Sequence, residues 1–367
     1  MVQKITINLK FLKKSLLCGI CLFLIIFLLY YFIVYSPKAW EYKILQHSRE
    51  IQKTFNISSF DKLEDDEALE GIDKIFHNPT IHLPNCSIEE RNELIGRVPI
   101  YLEAPPFKYI NSLYPNIKSG GHFYPNNCKA QQKVAILVPY KNRQVQLRIF
   151  LYNIHRTLQK QYIDYVIFII EPIDNTTFNR GKLLNIGFQE ALKMYDFDCI
   201  ILHDVDLIPE DDRNIYQCSK HPRHMSSHIN KFNYELPYEY IFGGASALSI
   251  SNFKLINGYN NMYWGWGMED DDLYERIKYH KLKVSRFPPE ISRYYMLIHE
   301  HESENSVNDC RYAVYNYYKN KMNLEGLNNL NYEVKKVEFY HLYTKILVDP
   351  LEEISKKKLH DVGLCIS

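Results

Sequence analysis

The chain has 367 residues, of which 46% are apolar and 30 are tyrosine, so it can bury a substantial core as one large domain or two ordinary ones. Its formal net charge of +1 gives no support to a nucleic-acid partner. No internal repeat is visible, which sets aside solenoids and arrays.

In chain order, Ser15 to Tyr35 is an uninterrupted apolar stretch without a formal charge, long enough to cross a bilayer as one helix. Lys4, Lys10, Lys13 and Lys14 precede it and only Lys38 follows closely, so the amino terminus should stay cytoplasmic. The run is too long for a cleaved leader and lacks a small-x-small site, which favours a retained signal anchor. The expected layout is a cytoplasmic tail at 1–14, a transmembrane anchor at 15–35, a stem at 36–84 and a lumenal globular domain at 85–367. The acidic stretch Lys62 to Glu67 reads as part of a solvated spacer.

The eight cysteines fit that layout. Cys18 and Cys21 fall in the anchor, where thiols pack as small apolar groups. Cys86, Cys128, Cys199, Cys218, Cys310 and Cys365 would face an oxidising compartment where disulfides persist. Outside the anchor no C-x-x-C spacing marks a zinc site. Asn56, Asn85 and Asn175 begin N-x-[ST] sequons; Asn175 is the weakest of the three because it lies close to suspected site residues.

Val134 to Val138 is a short apolar run stopped by Pro139, as expected of a buried strand. Leu147, Phe150, Leu151, Ile154 and Leu158 follow at helical spacing. Tyr165 to Ile170 reads as a second strand, Leu183 to Leu192 as a second helix, and Cys199 to Leu202 as a third strand running into Asp204-Val205-Asp206. Alternation of strand and helix predicts right-handed crossovers and a largely parallel sheet, with ligands beyond the carboxyl ends of its strands. Asp204 and Asp206 stand there, and period-two alternation puts both on one side. Their oxygen ligands suit magnesium or manganese, although D-x-D is also common as a pair of exposed loop acids. Pro139-Tyr140-Lys141-Asn142-Arg143 and Phe178-Asn179-Arg180-Gly181-Lys182 place cations at strand ends, where a diphosphate could be held. A P-loop is absent.

Trp264-Gly265-Trp266-Gly267-Met268 is followed by Glu269, Asp270, Asp271 and Asp272. Indole faces stack on sugars and glycines let a loop or ligand approach. The acids could cap a helix beginning near Leu273, or one of them could take a proton from a hydroxyl. Met296 and His299 lie on and after an apolar run from Tyr294; on chemistry alone they read as core and structural residues.

In order, VPYKNR from Val138, FNRGKLLNIGFQEAL from Phe178, DVDLIP from Asp204, FGGASALS from Phe242 and NGYNNMYWGWGMEDDD from Asn257 resemble the animal β-1,4-galactosyltransferase family, which includes β-1,4-N-acetylgalactosaminyltransferases. The resemblance runs from about Cys86 to Pro350. It implies a GT-A type α/β fold with a central, largely parallel mixed sheet behind a single transmembrane helix, in a single-pass type II protein of the Golgi membrane. It implies Mn2+ bound by Asp206, Met296 and His299. UDP-sugar contacts fall on Pro139, Tyr140, Arg143, Phe178, Arg180, Val205, Asp206, Lys231 and Trp266, the last on a mobile loop. Asp270 matches the base, Glu269, Asp270 and Asp271 the acceptor contacts, and Arg311 and Tyr312 the pocket for the acceptor's N-acetyl group. Disulfides are implied for Cys86–Cys128 and Cys199–Cys218; a Cys310–Cys365 bridge is open.

The expected reaction is inverting transfer of GalNAc, or Gal, from its UDP-sugar to the 4-hydroxyl of a terminal β-GlcNAc on glycoproteins or glycolipids. The residue before FGG discriminates donors in this family, with tyrosine in galactose enzymes and a smaller aliphatic residue in N-acetylgalactosamine enzymes. Ile241 stands there and favours UDP-GalNAc, unless Tyr240 takes over the role after a one-residue shift. The alternatives are a UDP-galactose-specific enzyme, an inactive Golgi-anchored sugar-binding protein and, more weakly, the xylose-directed branch. Departures from the family pattern are Met268, where glycine is usual, with Tyr140, Lys141 and Tyr312.

Overall fold

The computed structural model describes residues 66–70, 76–87, 94–297 and 306–365. The anchor at 15–35, the sequon at Asn56 and the residue His299 lie outside the described residues. Among the described residues no helix is long and apolar enough to cross a membrane.

The main sheet is built from β1 (His122–Phe123), β2 (Lys133–Pro139), β3 (Asp164–Pro172), β4 (Cys199–His203), and later strands. A short β5 (Leu207–Pro209) follows the D-x-D turn, then β6 (Arg223–His224), β7 (His228–Ile229), β8 (Ala245–Ser249), β9 (Arg293–Met296), β10 (Glu333–Phe339) and β11 (Thr344–Asp349). The strand order is β10-β11-β3-β2-β4-β8-β6, with β1 added to β3. The inner strands β11, β3, β2 and β4 run parallel, whereas β10, β1, β8 and β6 pair antiparallel. The largely parallel sheet expected from the sequence is therefore a parallel centre with antiparallel flanks. β8 and β6 follow β4, and β11 follows β10, without an intervening crossover helix, so nothing enforces parallel pairing there; β1 pairs antiparallel with β3 across β2 and the helix Gln144–Lys160.

β2 is buried along almost its whole length, as a central strand covered on both faces must be. Helix α1 (Phe107–Leu113) precedes it and α2 (Gln144–Lys160) follows it. On α2, His155 Nδ1 lies 2.8 Å from the Tyr165 hydroxyl and Phe150 packs on His203, so this helix covers one face. The opposite face carries Ala135, Leu137, Val166, Phe168 and Ile170 against Leu183, Leu184 and Phe188 of α3 (Arg180–Met194). Each nearly fully buried Leu, Ile or Phe contributes roughly 1.5–3 kcal/mol of apolar transfer. α4 (Ile250–Leu255), α5 (Glu269–Tyr279), α6 (Arg311–Tyr318) and α7 (Glu352–Asp361) complete the helices used below. A second sheet, ordered β5-β9-β7, sits beside the carboxyl ends of the parallel strands.

The stem boundary at residue 84 falls inside this packed unit. The Leu69 amide donates to the Phe339 carbonyl, and the Phe76 amide to that of Met194. The Phe76 ring is 6% exposed, among Phe168, Tyr195 and Phe339. A buried phenylalanine does not belong to a free spacer; the acidic composition around it masked one apolar anchor.

Disulfides join Cys86 to Cys128, Cys199 to Cys218 and Cys310 to Cys365. The first two agree with the implied pairing, and the third resolves the pair left open. The Asn85 and Asn175 side chains are exposed.

Candidate active site

The parallel strands end on one side of the sheet, and the loops there enclose a cleft of about 580 Å³. Pro139 ends β2, and Arg143 sits where the chain turns into α2. Arg180 is the first residue of α3, whose start is fixed by Asn179: its side-chain oxygen accepts from the Lys182 amide at 2.9 Å. Asp204, Val205 and Asp206 follow β4 and line the same cleft.

Acids and cations interlock on its floor. Arg143 donates to Asp206 at 3.2 Å. Arg180 donates to Asp204 at 2.6 Å and to the Gly244 carbonyl at 3.2 Å, and it lies 3.9 Å from Glu269. Burial, then the neighbouring Asp206 and Asp270, push the Asp204 carboxyl up against the opposing pull of Arg180. Burial together with Asp270 raises Glu269 to about 7 and Asp271 to about 6. The lining carries five acids, Asp204, Asp206, Glu269, Asp270 and Asp271, beside five cations, Lys141, Arg143, Arg180, Lys231 and Arg311, so it offers carboxylates to a divalent cation and positive groups to phosphate.

The four acids occupy the first turn of α5, where the helix dipole favours negative charge. They then separate by role. Glu269, Asp270 and Asp271 line the cleft, whereas Asp272 is fully buried and lies 3.5 Å from Arg276. Asp270 lies hard against Gly243, where any β-carbon would come within 2.6 Å of its carboxylate. The two indoles also separate. Trp264 is 7% exposed and belongs to the interior, while Trp266 is 58% exposed at the cleft. Both are next to Gly265 in the chain, and in the sequence only the family resemblance singled out Trp266. The Trp266 amide donates to the Ser306 carbonyl, and its own carbonyl accepts from Asn308. Gly265, at φ +88°, permits this pairing: a side chain there would meet the Ser306 carbonyl at 2.7 Å.

Asp206 and Met296 are brought together by β5 and β9, in which Leu207 pairs with Met296 and the Leu297 amide donates to the Asp206 carbonyl at 2.8 Å. Among the described residues no three His, Cys, Asp or Glu side chains form a metal cluster. The implied set contains one carboxylate, one thioether and His299, so the described part of the site fits a cation through the Asp206 carboxylate, with Asp204 beside it on the cleft.

Of the other expected contacts, Phe178, Lys231, Ile241, Arg311 and Tyr312 line the cleft. Tyr140 does not; it is 8% exposed and its amide donates to the Ile170 carbonyl, with Lys141 on the cleft instead. Ile241 is held by Arg286, which donates to its carbonyl at 3.0 Å and to that of Glu239 at 2.7 Å. Tyr240 packs on Tyr238 in a tilted arrangement, ring centroids 4.5 Å apart, and does not line the cleft.

Sequence reasoning missed Tyr238, which lines the cleft, and the role of Gly243 and Gly244 in carrying the chain past Asp270 and Arg180. It also missed His224, which lies 3.1 Å from the Gly243 carbonyl and is held neutral by burial, its pKa lowered to about 3. The FGG triplet was a usable signal for the glycines; nothing local singled out Tyr238 or His224.

Residues 86–219 match the family model described as the N-terminal region of glycosyl transferase group 7, and residues 223–300 match the N-terminal domain of galactosyltransferase. With the cleft at the strand ends, this makes the molecule a hexosyltransferase with a GT-A-like α/β fold. Human β-1,4-galactosyltransferase 1 is 43% identical over 274 residues, covering 74% of this chain and 69% of that protein. The catalytic domain of Drosophila β-1,4-galactosyltransferase 7, solved with xylobiose, superposes with a TM-score of 0.50 and 30% identity over 59% of this chain and 92% of that one. A mutant of the same fly enzyme, solved with manganese, UDP-Gal and xylobiose, gives 0.49 and 29% over the same shares. The chain belongs to the β-1,4-galactosyltransferase family.

Proposed function

We propose that the protein is a manganese-dependent inverting glycosyltransferase that moves GalNAc from UDP-GalNAc to the 4-hydroxyl of a terminal β-GlcNAc. The observation that carries the donor reading is Ile241 on the cleft wall, with Tyr240 turned onto Tyr238 and Tyr274 and absent from the lining. An isoleucine leaves room for an acetamido group and offers no hydroxyl to a galactose 2-hydroxyl. The Arg286 contacts to the carbonyls of residues 239 and 241 hold the segment in that register.

The chemistry assigned to the cleft follows from its charges. Arg143, Arg180 and Lys231 bind the diphosphate, and Phe178 packs on the nucleotide. Manganese, held by Asp206, Met296 and His299, would neutralise the charge that develops on the leaving diphosphate. Asp270 takes the proton of the acceptor hydroxyl as that oxygen attacks the anomeric carbon. The bond from anomeric carbon to phosphate oxygen breaks, UDP leaves, and the configuration inverts. Glu269 and Asp271 orient the acceptor, Arg311 and Tyr312 hold its acetamido group, and Trp266 keeps water from the donor. The same reading places residues 1–14 in the cytoplasm, 15–35 in the Golgi membrane and the catalytic domain in the lumen, with Asn56 and Asn85 available for glycans.

The test is a matrix of UDP-GalNAc and UDP-Gal against GlcNAc, glucose and xylose β-glycosides, with manganese and with EDTA. Preferred transfer of GalNAc to GlcNAc, lost in EDTA, is expected. A clear galactose preference overturns the donor assignment. Xyloside as the favoured acceptor overturns the acceptor assignment; the fly neighbour's complex with xylobiose makes that arm necessary.

A further inference from the structure

Beside the cleft lies a small second core, separate from the one under the main sheet. Met262, Tyr263, Val314, Tyr318 and Leu359 are buried in it, and Met268, Cys310, Leu364 and Cys365 pack against it. Three pieces of chain meet there: the loop leading into α5, the helix α6, and the residues that end α7.

α6 spans only eight residues, and of these only Val314 and Tyr318 are buried. A helix of that length is not stable alone, so its position depends on what holds its ends. Its first two residues, Arg311 and Tyr312, form part of the cleft wall. Cys310 is its N-cap residue and makes no side-chain capping hydrogen bond; its sulfur is bonded to Cys365 instead. Cys365 follows α7, which is tied to the main domain: the Lys182 ammonium donates to Ser355 at 3.1 Å, and Lys358 pairs with Glu325 at 3.1 Å. Backbone contacts carry the connection from Cys310 to the indole loop. The Cys310 amide donates to the Asn308 side chain at 2.9 Å, the Arg311 guanidinium donates to the Asn308 carbonyl at 2.8 Å, and the Asn308 amide donates to the Trp266 carbonyl at 3.0 Å.

Met268 enters the same core from the other side. It is the N-cap residue of α5 at φ +73°, in the left-handed region that costs a side-chain-bearing residue energy. Its thioether packs against the second core and lines the cleft, so the strained residue links the start of the acid-bearing helix to α6.

We infer that the Cys310–Cys365 disulfide is a positioning device for this enzyme: it fixes the start of α6, and through the second core it sets Arg311 and Tyr312 at the distance from the α5 acids that the acceptor sugar requires. The inference rests on the assignment of Arg311 and Tyr312 to the acceptor. It concerns acceptor binding alone, because the donor-side residues Arg143, Phe178, Arg180 and Asp206 are held by the main sheet and its helices.

The experiment compares the full-length protein with C310S/C365S, with Leu364→Ala, which keeps the bridge but trims the same core, and with Arg311→Ala. The readouts are acceptor KM, donor KM and amide hydrogen exchange. In C310S/C365S, exchange should quicken in residues 311–318 and not in β2 to β4. The acceptor KM should rise about ten-fold with the donor KM unchanged, the scale expected when a binding wall is misplaced by a fraction of its working tolerance. Leu364→Ala should move the same quantities less, and it decides the matter if the double variant does not fold. Unchanged exchange in α6, an unchanged acceptor KM, or a parallel rise in both KM values overturns the inference. If Arg311→Ala leaves the acceptor KM unmoved, the acceptor assignment itself has failed.

Discussion

Individual residues in the cleft carry separable burdens. Asp270 is the one carboxylate set against the bare backbone of Gly243, while its neighbour Asp272 is withdrawn into the interior beside Arg276. Asp270→Asn removes the proposed proton acceptor but keeps the size and hydrogen-bonding reach of the group. Manganese-dependent UDP release should fall by roughly 10²–10⁴-fold with little change in melting temperature, the usual range for loss of a general base. Retained turnover would remove Asp270 as the base; no UDP release from the wild-type protein with any donor and acceptor would favour a sugar-binding protein over an enzyme. At Ile241 the issue is selectivity. Ile241→Tyr fills the space for an acetamido group and adds a hydroxyl, so the GalNAc-to-Gal ratio of kcat/KM should shift toward galactose by roughly 10–200-fold, or about 1–3 kcal/mol. An unchanged ratio in a donor competition assay would remove Ile241 as the determinant.

At the scale of elements, the clearest departure from expectation is the segment before residue 84. Its acidic composition reads as a spacer, but Phe76 inserts into the core between β3, β10 and the end of α3. Phe76→Ala should lower stability by about 3–5 kcal/mol, the cost of emptying a packed aromatic site, as measured by chemical denaturation. A stable domain starting at residue 85 would contradict this. A single aromatic in a polar stretch has no periodicity to declare it, so its docking was invisible in the sequence. The central strands β2, β3 and β4 were legible because each is a continuous apolar run of the length a doubly covered strand needs. The antiparallel flanks were not. β6 is two residues long, and β8 reads Ala-Ser-Ala-Leu-Ser, so neither carries enough apolar pattern to stand out.

On the scale of the whole molecule, the buried acids of the cleft couple stability to pH. Glu269 is raised to about 7 and Asp271 to about 6, against about 4.5 and 3.8 for the free groups. Between those values the folded protein holds protons that the unfolded chain releases, so folding is favoured at low pH and that contribution fades as pH rises. In metal-free protein the melting temperature should therefore decline from pH 4.5 to 7, beyond any change seen in Glu269→Gln, which carries no such proton. Differential scanning calorimetry in EDTA at several pH values tests this; equal slopes for the two proteins would remove Glu269 as the source. A bound divalent cation should flatten the slope by offsetting the same charge.

The sequence by itself determined the family, the parallel centre of the sheet, the D-x-D turn at its edge, and the run of acids that starts a helix. Each of these is a local pattern: an apolar run, a strand end, a cap, or a long motif in fixed order. Only the tertiary structure decided which aspartate is withdrawn, which tyrosine of Tyr238-Glu239-Tyr240 lines the wall, and that Cys310 meets Cys365. Those outcomes depend on which side of a turn packs first against distant chain. Trp264 and Trp266 share Gly265 as a neighbour and differ in exposure, 7% against 58%, a difference fixed by the fold. Met268 shows the division within one residue. Its identity was plainly unusual in the sequence, but its meaning came from a backbone at φ +73° and a small core assembled from three separate segments.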